Sequence, residues 1–278
     1  MGGLYFCIFL DIRIRRVYNI EKTESGSDMQ NNIKNKSLAK AMRILECFQK
    51  KPSLGVTEIA EMTELNKSNV HDHLMTLTAL GYVRQDPITA KYGLGYRILE
   101  LSHALTASMG FRRTVYPVIQ RLSDETGEVV YYGIPDGGEV LYLDAAYPSA
   151  RLQNSRGMLG VRAEMYCTAI GKALLSRYPR EEQLRILQSP RTAYTPNTLI
   201  RPEDILQELD CIRHQGYAVD NMEHEYGIKC VGVVIPAPDG RPQAAISISG
   251  PSLRFSDERI PQLAENLFHA VEELRYFL

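Results

Sequence analysis

Cys167 and Cys230, with His214 or His224, are the side chains that could supply a thiol nucleophile and its base. No third group that would orient the base is evident, and the two thiols read as small buried cysteines. His224 and Cys230 lie six apart, and two possible ligands do not make a metal site. The chain has no G-x-S-x-G elbow, no H-E-x-x-H, no Walker A loop and no dinucleotide fingerprint. An enzyme is therefore not expected, nor a metal or cofactor. Binding chemistry is better represented. Residues 168–171 open a helix, where unpaired N–H groups and the positive dipole end can meet a carboxylate. Ser247 and Ser249, two apart on one strand, present two hydroxyls to one side. The alternative is that they only satisfy neighbours within a sheet.

These residues need elements to hold them. A helix is expected over 112–126, ended by Gly127, then strands over 128–134, 139–145 and 151–154, with a turn at Pro135-Asp136-Gly137-Gly138. Helices follow at 168–176, 180–187 and 202–214, the last with Pro202 in its first turn and Gly216 beyond its end. Strands over 227–236 and 243–249 flank the tight-turn pair Asp239-Gly240, and a final helix runs from the N-cap Ser256 to about 277. Strands joined by short turns, with helices grouped around them, define an α+β domain on an antiparallel sheet.

Upstream the periodicity is helical. Leu38, Met42, Leu45 and Phe48 recur at three- and four-residue spacing behind Ser37, read as an N-cap, and Pro52 and Gly55 break the helix. A second helix starts behind Thr57. A third opens at Lys67-Ser68, carries Val70, Leu74 and Leu77 on one face, and is closed by Gly81. Two short strands follow around a turn at 86–90. Helix, helix, helix and β-ribbon describe a winged helix-turn-helix, with a protein-binding three-helix bundle as the alternative. Residues 95–109 form a joining helix apolar on more than one face, which suits an interface; the alternative is a core helix of the second domain.

Composition agrees without deciding. The 278 residues exceed one typical domain, with 44% hydrophobic and 23% charged residues in ordinary proportion. Net charge is −1 overall, yet ten basic residues face six acidic ones between Lys34 and Arg97, a local excess that suits a polyanion-binding module. Five scattered cysteines without a C-x-x-C pair indicate a reducing cytoplasm. The apolar run 4–10 is too short for a membrane span and poor as a signal peptide. Residues 1–33 read as a disordered or non-native extension with Met29 as the start; a genuine N-terminal strand is the alternative.

The motifs resemble the IclR (isocitrate lyase regulator) family. In the first domain they are residues 41–48, Val56-Thr57-Glu58-Ile59-Ala60, Leu65-Asn66-Lys67-Ser68, residues 77–83, Asp86-Pro87 and Lys91-Tyr92-Gly93-Leu94-Gly95. In the second they are residues 165–175, 215–223 and 225–233, and Ala245-Ile246-Ser247-Ile248-Ser249-Gly250-Pro251. The resemblance implies a winged helix-turn-helix over 34–94, a linker and dimerisation helix over 95–110, and a GAF-like effector-binding domain over 111–278. It implies a cytoplasmic homodimer, or dimer of dimers, that binds an operator in double-stranded DNA as a repressor of a catabolic operon. A metabolite-binding protein or enzyme with a non-functional DNA module is the alternative.

The recognition helix would then offer Lys67 and Ser68 to phosphates and Asn69, His71 and Asp72 to base edges, with Lys91 on the wing. Asp72 stands where the family usually has Arg, and His73 where it has an apolar residue, so the operator is expected to be atypical. The effector pocket would be built from Ala169, Ile170, Asp220, Ile228, Cys230, Ser247 and Ser249. Helix-start amides, hydroxyls and a carboxylate acceptor suit a small oxo-, hydroxy- or sugar acid.

Overall fold

A computed structural model describes residues 33–108, 111–150 and 159–275. The N-terminal extension, a start at Met29 and the strand expected over 151–154 lie outside the described residues. The chain divides into two compact units, the first ending at Ser108.

In the first unit, α1 (Lys36–Lys50) is capped by Asn35, whose side-chain oxygen accepts from Leu38 N at 3.0 Å. The cap thus lies two residues before Ser37, which occupies the first turn. Helix α2 (Val56–Thr63) likewise starts ahead of Thr57, and the Glu58 carboxylate accepts from Gly55 N at 2.8 Å. Helix α3 (Lys67–Ala79) is capped by Asn66, which accepts from Asn69 N at 2.8 Å. Val70, Leu74 and Leu77 face inward onto Ile44, Phe48 and Ile59. Leu38 and Met42, expected inside, are exposed, because α1 turns its Ile44–Cys47–Phe48 face to the core instead.

Strands β1 (Val83–Gln85) and β2 (Tyr92–Leu94) pair antiparallel as the wing. Leu54 adds a bridge that sequence reading missed: its N–H donates to Tyr92 O, and Tyr92 N donates back. At the wing tip Asp86 Oδ1 accepts from Ile88 N and Thr89 N, both at 2.8 Å, and leaves the Ile88 side chain exposed. Helix α4 (Arg97–Ser108) exposes Leu99, Leu101 and Leu105.

The second unit is built on a six-stranded antiparallel sheet. Its strands are β3 (Val129–Asp136), β4 (Glu139–Ala146), β5 (Arg162–Glu164), β6 (Ala218–Asn221), β7 (Ile228–Pro236) and β8 (Pro242–Pro251), in the order β5-β4-β3-β8-β7-β6. The edge strands β5 and β6 were not expected. One face, with Val130, Val231, Ile246 and Ile248, packs on α5 (Phe111–Thr126) and α9 (Arg259–Leu274). The other carries Val140, Tyr142, Val234 and Ala245 against α6 (Ala169–Ser176) and α8 (Pro202–Gln215). A short helix, α7 (Arg180–Ile186), lies between those two in the chain. Alternation along each strand sends one set of side chains to each helical layer. Glu128, buried before β3, accepts from Arg254 Nε at 2.6 Å and Arg259 Nη1 at 3.0 Å, which ties the start of α9 to the sheet.

Candidate functional site

Two surfaces answer to the expected sites. On the first unit, the short turn between α2 and α3 leaves the N-terminal end of α3 outward. Lys67, Ser68, His71 and Asp72 are exposed and Asn69 is half-buried. His73 is half-buried beside the inward Leu74, so the family's apolar position is here filled by a partly wetted ring. Lys91 differs from the others. Its Nζ lies 3.4 Å from Glu58 Oε2, while Lys51 Nζ lies 2.5 Å from Oε1 of the same carboxylate. The Lys51 hydrogen bond is the main cause that lowers the Glu58 carboxyl to about 2, so it stays charged. Lys91 therefore sits against a counter-charge that sequence spacing did not reveal.

On the second unit, sheet register assembles the pocket residues. Asp220 is the direct cross-strand partner of Cys230, and Cys230 of Ser249. Partners in register point to one face, so carboxyl, thiol and hydroxyl form a row across β6, β7 and β8. Ser247 lies one step along β8, opposite Gly232, and Ile228 lies two before Cys230 on the same face. Asp220, Ser247 and Ser249 are buried; Ile228 and Cys230 are partly exposed.

Gly232 lets α6 reach this row. A Cβ there would stand 2.7 Å from the carbonyl carbon of Ala169 and 3.0 Å from Ile170 N. Without a side chain, the first turn of α6 rests directly on the sheet, and Ala169 and Ile170 are buried over the hydroxyls. Thr168 caps this helix, and its Oγ1 accepts from Gly171 N at 3.1 Å. Of the residues 168–171, Gly171 is thus already engaged, and the amides of Ala169 and Ile170 are those without a helical acceptor. All seven expected pocket residues share one region.

Sequence reading missed what surrounds them. Lys172, one turn into α6, has no exposed side-chain surface; its Nζ is 2.5 Å from Glu223 Oε1 and 3.1 Å from Glu208 Oε1. Burial lowers this ammonium's tendency to ionise, but the two carboxylates outweigh it and hold it charged. Glu223 Oε2 is buried without a hydrogen-bond partner. Asp220 Oδ1 accepts from Glu223 N at 2.7 Å and His224 N at 3.4 Å, bracing a turn in which Met222 takes φ 61°. A strap of residues 195–198 holds the same turn from outside: Thr195 Oγ1 donates to Met222 O at 2.7 Å, and Thr198 Oγ1 to Glu223 O at 2.6 Å.

Burial pushes Asp220 up to about 7; the Glu223 charge adds to this, while backbone hydrogen bonds and Lys172 pull it down. Burial also pushes the thiols of Cys167 and Cys230 up, which opposes the thiolate a nucleophile requires. Among the described residues no group of three or more His, Cys, Asp or Glu could hold a metal ion. No helix among them is long and apolar enough to cross a membrane. A winged helix-turn-helix, together with an antiparallel-sheet domain that carries a row of mostly buried polar side chains, defines a DNA-binding transcriptional regulator. Residues 37–87 match the IclR helix-turn-helix domain, and residues 103–276 match the bacterial transcriptional regulator IclR C-terminal domain. The chain belongs to the IclR family. It is 33% identical to the HTH-type transcriptional regulator XynR of Escherichia coli over 84% of this chain and 93% of that protein. The Thermotoga maritima IclR crystal structure superposes with a TM-score of 0.68 at 33% identity, covering 87% of this chain and 98% of that one. An IclR homolog from Microbacterium hydrocarbonoxydans, solved with 4-hydroxybenzoate, shares the fold with a TM-score of 0.73 at 22% identity, covering 86% and 99%.

Proposed function

We propose that this regulator represses a catabolic operon and is gated by a small organic or sugar acid bound among Ala169, Ile170, Asp220, Ile228, Cys230, Ser247 and Ser249. The observation that carries the reading is the Asp220–Cys230–Ser249 row lying under the first turn of α6. Amides at a helix start favour an anion, and the hydroxyls suit a ligand that also bears oxygen substituents. The 4-hydroxybenzoate held by the Microbacterium hydrocarbonoxydans homolog is an acid of this kind.

On the DNA side, Lys67 and Ser68 contact phosphates, Asn69 reads adenine, His71 meets the groove and Asp72 accepts from cytosine N4; Lys91 serves the wing. The exposed leucines of α4 support self-association as a dimer or dimer of dimers in the cytoplasm, which pairs two recognition helices on half-sites. The acid binds one arrangement of the dimer more tightly and so changes operator affinity.

Full-length protein titrated onto its own upstream DNA tests the first half, with affinity expected to fall steeply from 50 to 200 mM salt. A thermal-shift panel of oxo-, hydroxy- and sugar acids tests the second, with at least one acid expected to raise Tm. Absence of salt-dependent operator binding would end the regulator reading of these surfaces.

A further inference from the structure

We infer that the pocket takes up a proton together with its ligand: the acid binds as an anion against a protonated Asp220, whose carboxyl donates the hydrogen bond. This deepens the effector reading above and rests on it.

The argument starts from charge. One buried ammonium, Lys172, is already shared by Glu223 and Glu208. Asp220, three residues before Glu223, lines the same enclosed turn and is almost wholly buried. With Asp220 ionised, the cluster holds three carboxylates against one ammonium before any ligand arrives. An anionic effector would add a fourth negative charge beside the buried Asp220 and Glu223, where water screens it weakly. A proton on Asp220 removes that conflict and converts an acceptor into a donor for an acceptor ligand.

Geometry says which oxygen carries it. Asp220 Oδ1 accepts from the N–H groups of Glu223 and His224, so the proton belongs on Oδ2; the Cys230 side chain also hydrogen-bonds this carboxyl. It comes from solvent, and no other bond is made or broken. Glu223 is the poorer host, because its Oε1 lies 2.5 Å from the Lys172 ammonium.

The groups facing Asp220 are Lys172 on α6 with Cys167 before it, Glu208 on α8, Glu223, His224 and Glu225 in the turn, Cys230 on β7 and Tyr142 on β4. Burial pushes Cys167, Cys230 and Tyr142 up, so they remain neutral near pH 7. Asp220 itself is raised to about 7. Protonated Asp220 is then abundant at pH 6 and scarce at pH 9. Affinity for an acid anion should be flat below about pH 6 and fall about tenfold per unit above about pH 7.

The test uses full-length protein and four probes: lactate, pyruvate, gluconate and 4-hydroxybenzoate. The acid that raises Tm most at pH 6 is titrated calorimetrically from pH 6 to 9, at each pH in two buffers of different ionisation enthalpy. The expected result is proton uptake approaching one at pH 8, seen as buffer-dependent heat, with Kd weakening about tenfold per unit. Asp220→Asn keeps Oδ1 as acceptor and offers a permanent donor, so its Kd should be flat with pH and its proton uptake near zero. His224→Gln should keep the wild-type slope. Binding with flat Kd and no buffer dependence overturns the proposal while leaving the effector reading intact, as does a slope that survives in Asp220→Asn or vanishes in His224→Gln. Should Asp220→Asn not fold, the wild-type buffer dependence decides alone. No binding by any of the four acids at pH 6 brings down the effector reading and this proposal together.

Discussion

The two units solve opposite problems with similar polar side chains. On α3, residues 67–72 are consecutive, mostly exposed, and presented by one helix whose core face needs only Val70, Leu74 and Leu77. Around the Asp220–Cys230–Ser249 row, comparable groups arrive from residues as far apart as Ala169 and Ser249, and most are buried. Their placement depends on cross-strand register, one missing Cβ and one ion pair. An exposed reader can change a side chain with little cost to stability. A buried sensor cannot, so its substitutions should first appear as lost stability and its polar groups as pH dependence.

Lys172→Met should break the comparison most sharply. It leaves Glu223 buried without its cation, and a broken buried pair costs about 3–5 kcal/mol. Urea unfolding at pH 7 measures it. A loss under about 1 kcal/mol would mean that the ion pair does not brace the pocket. Gly232→Val comes next. Its Cβ would stand 2.7 Å from the Ala169 backbone, where overpacking costs about 1–3 kcal/mol and α6 must lift from the hydroxyl row. The expected reading is a lower Tm and no thermal shift from an acid that stabilises wild type.

Asp220→Asn sharpens the contrast through pH. Burial raises the folded-state carboxyl to about 7 from an ordinary 3.8, so the native state binds more protons than the unfolded state between those values. Stability therefore declines as pH rises from about 4 to 7. Asn removes that loss, and the variant should gain on wild type in chemical unfolding between pH 4 and 8. Parallel curves for the two proteins would refute an ionising Asp220. The matching substitution on the reader, Lys67→Ala, should leave unfolding unchanged and cut the salt slope of operator binding by about one.

The same contrast explains what sequence could reveal. The helix-turn-helix and wing follow from local spacing and turn residues, and the expected effector residues from motif resemblance; register sets Asp220, Ile228, Cys230, Ser247 and Ser249 side by side, and the Gly232 contact brings Ala169 and Ile170 to them. Caps were misplaced because Asn35 and Gly55 compete with Ser37 and Thr57 over one or two positions, and local pattern does not rank them. Leu38 and Met42 share the helical period of the core residues, but periodicity does not say where the packing partner ends. Strands β5 and β6 are three and four residues long and sit at the two sheet edges, too short for alternation to register. Lys172 and Glu223 are 51 positions apart, and a lysine on a short helix reads as solvated until tertiary contact buries it.

Lys91 gives the smallest effect and the finest comparison within the reader. Lys67 is exposed at the start of α3, whereas Lys91 is 3.4 Å from a carboxylate that Lys51 also holds. Moving Lys91 to a phosphate exchanges one partner for another, so less counterion-release free energy is gained than at Lys67. Lys91→Ala should therefore weaken operator binding less than Lys67→Ala, which itself amounts to about a threefold smaller change in affinity between 50 and 200 mM salt. Glu58→Gln should release Lys91 and Lys51 together, tightening binding at 50 mM salt and steepening the salt slope. Fluorescence anisotropy of the three variants on one operator fragment at several salt concentrations measures this order. Equal slopes for Lys67→Ala and Lys91→Ala, with no change for Glu58→Gln, would show that the Glu58 pairing does not restrain the wing.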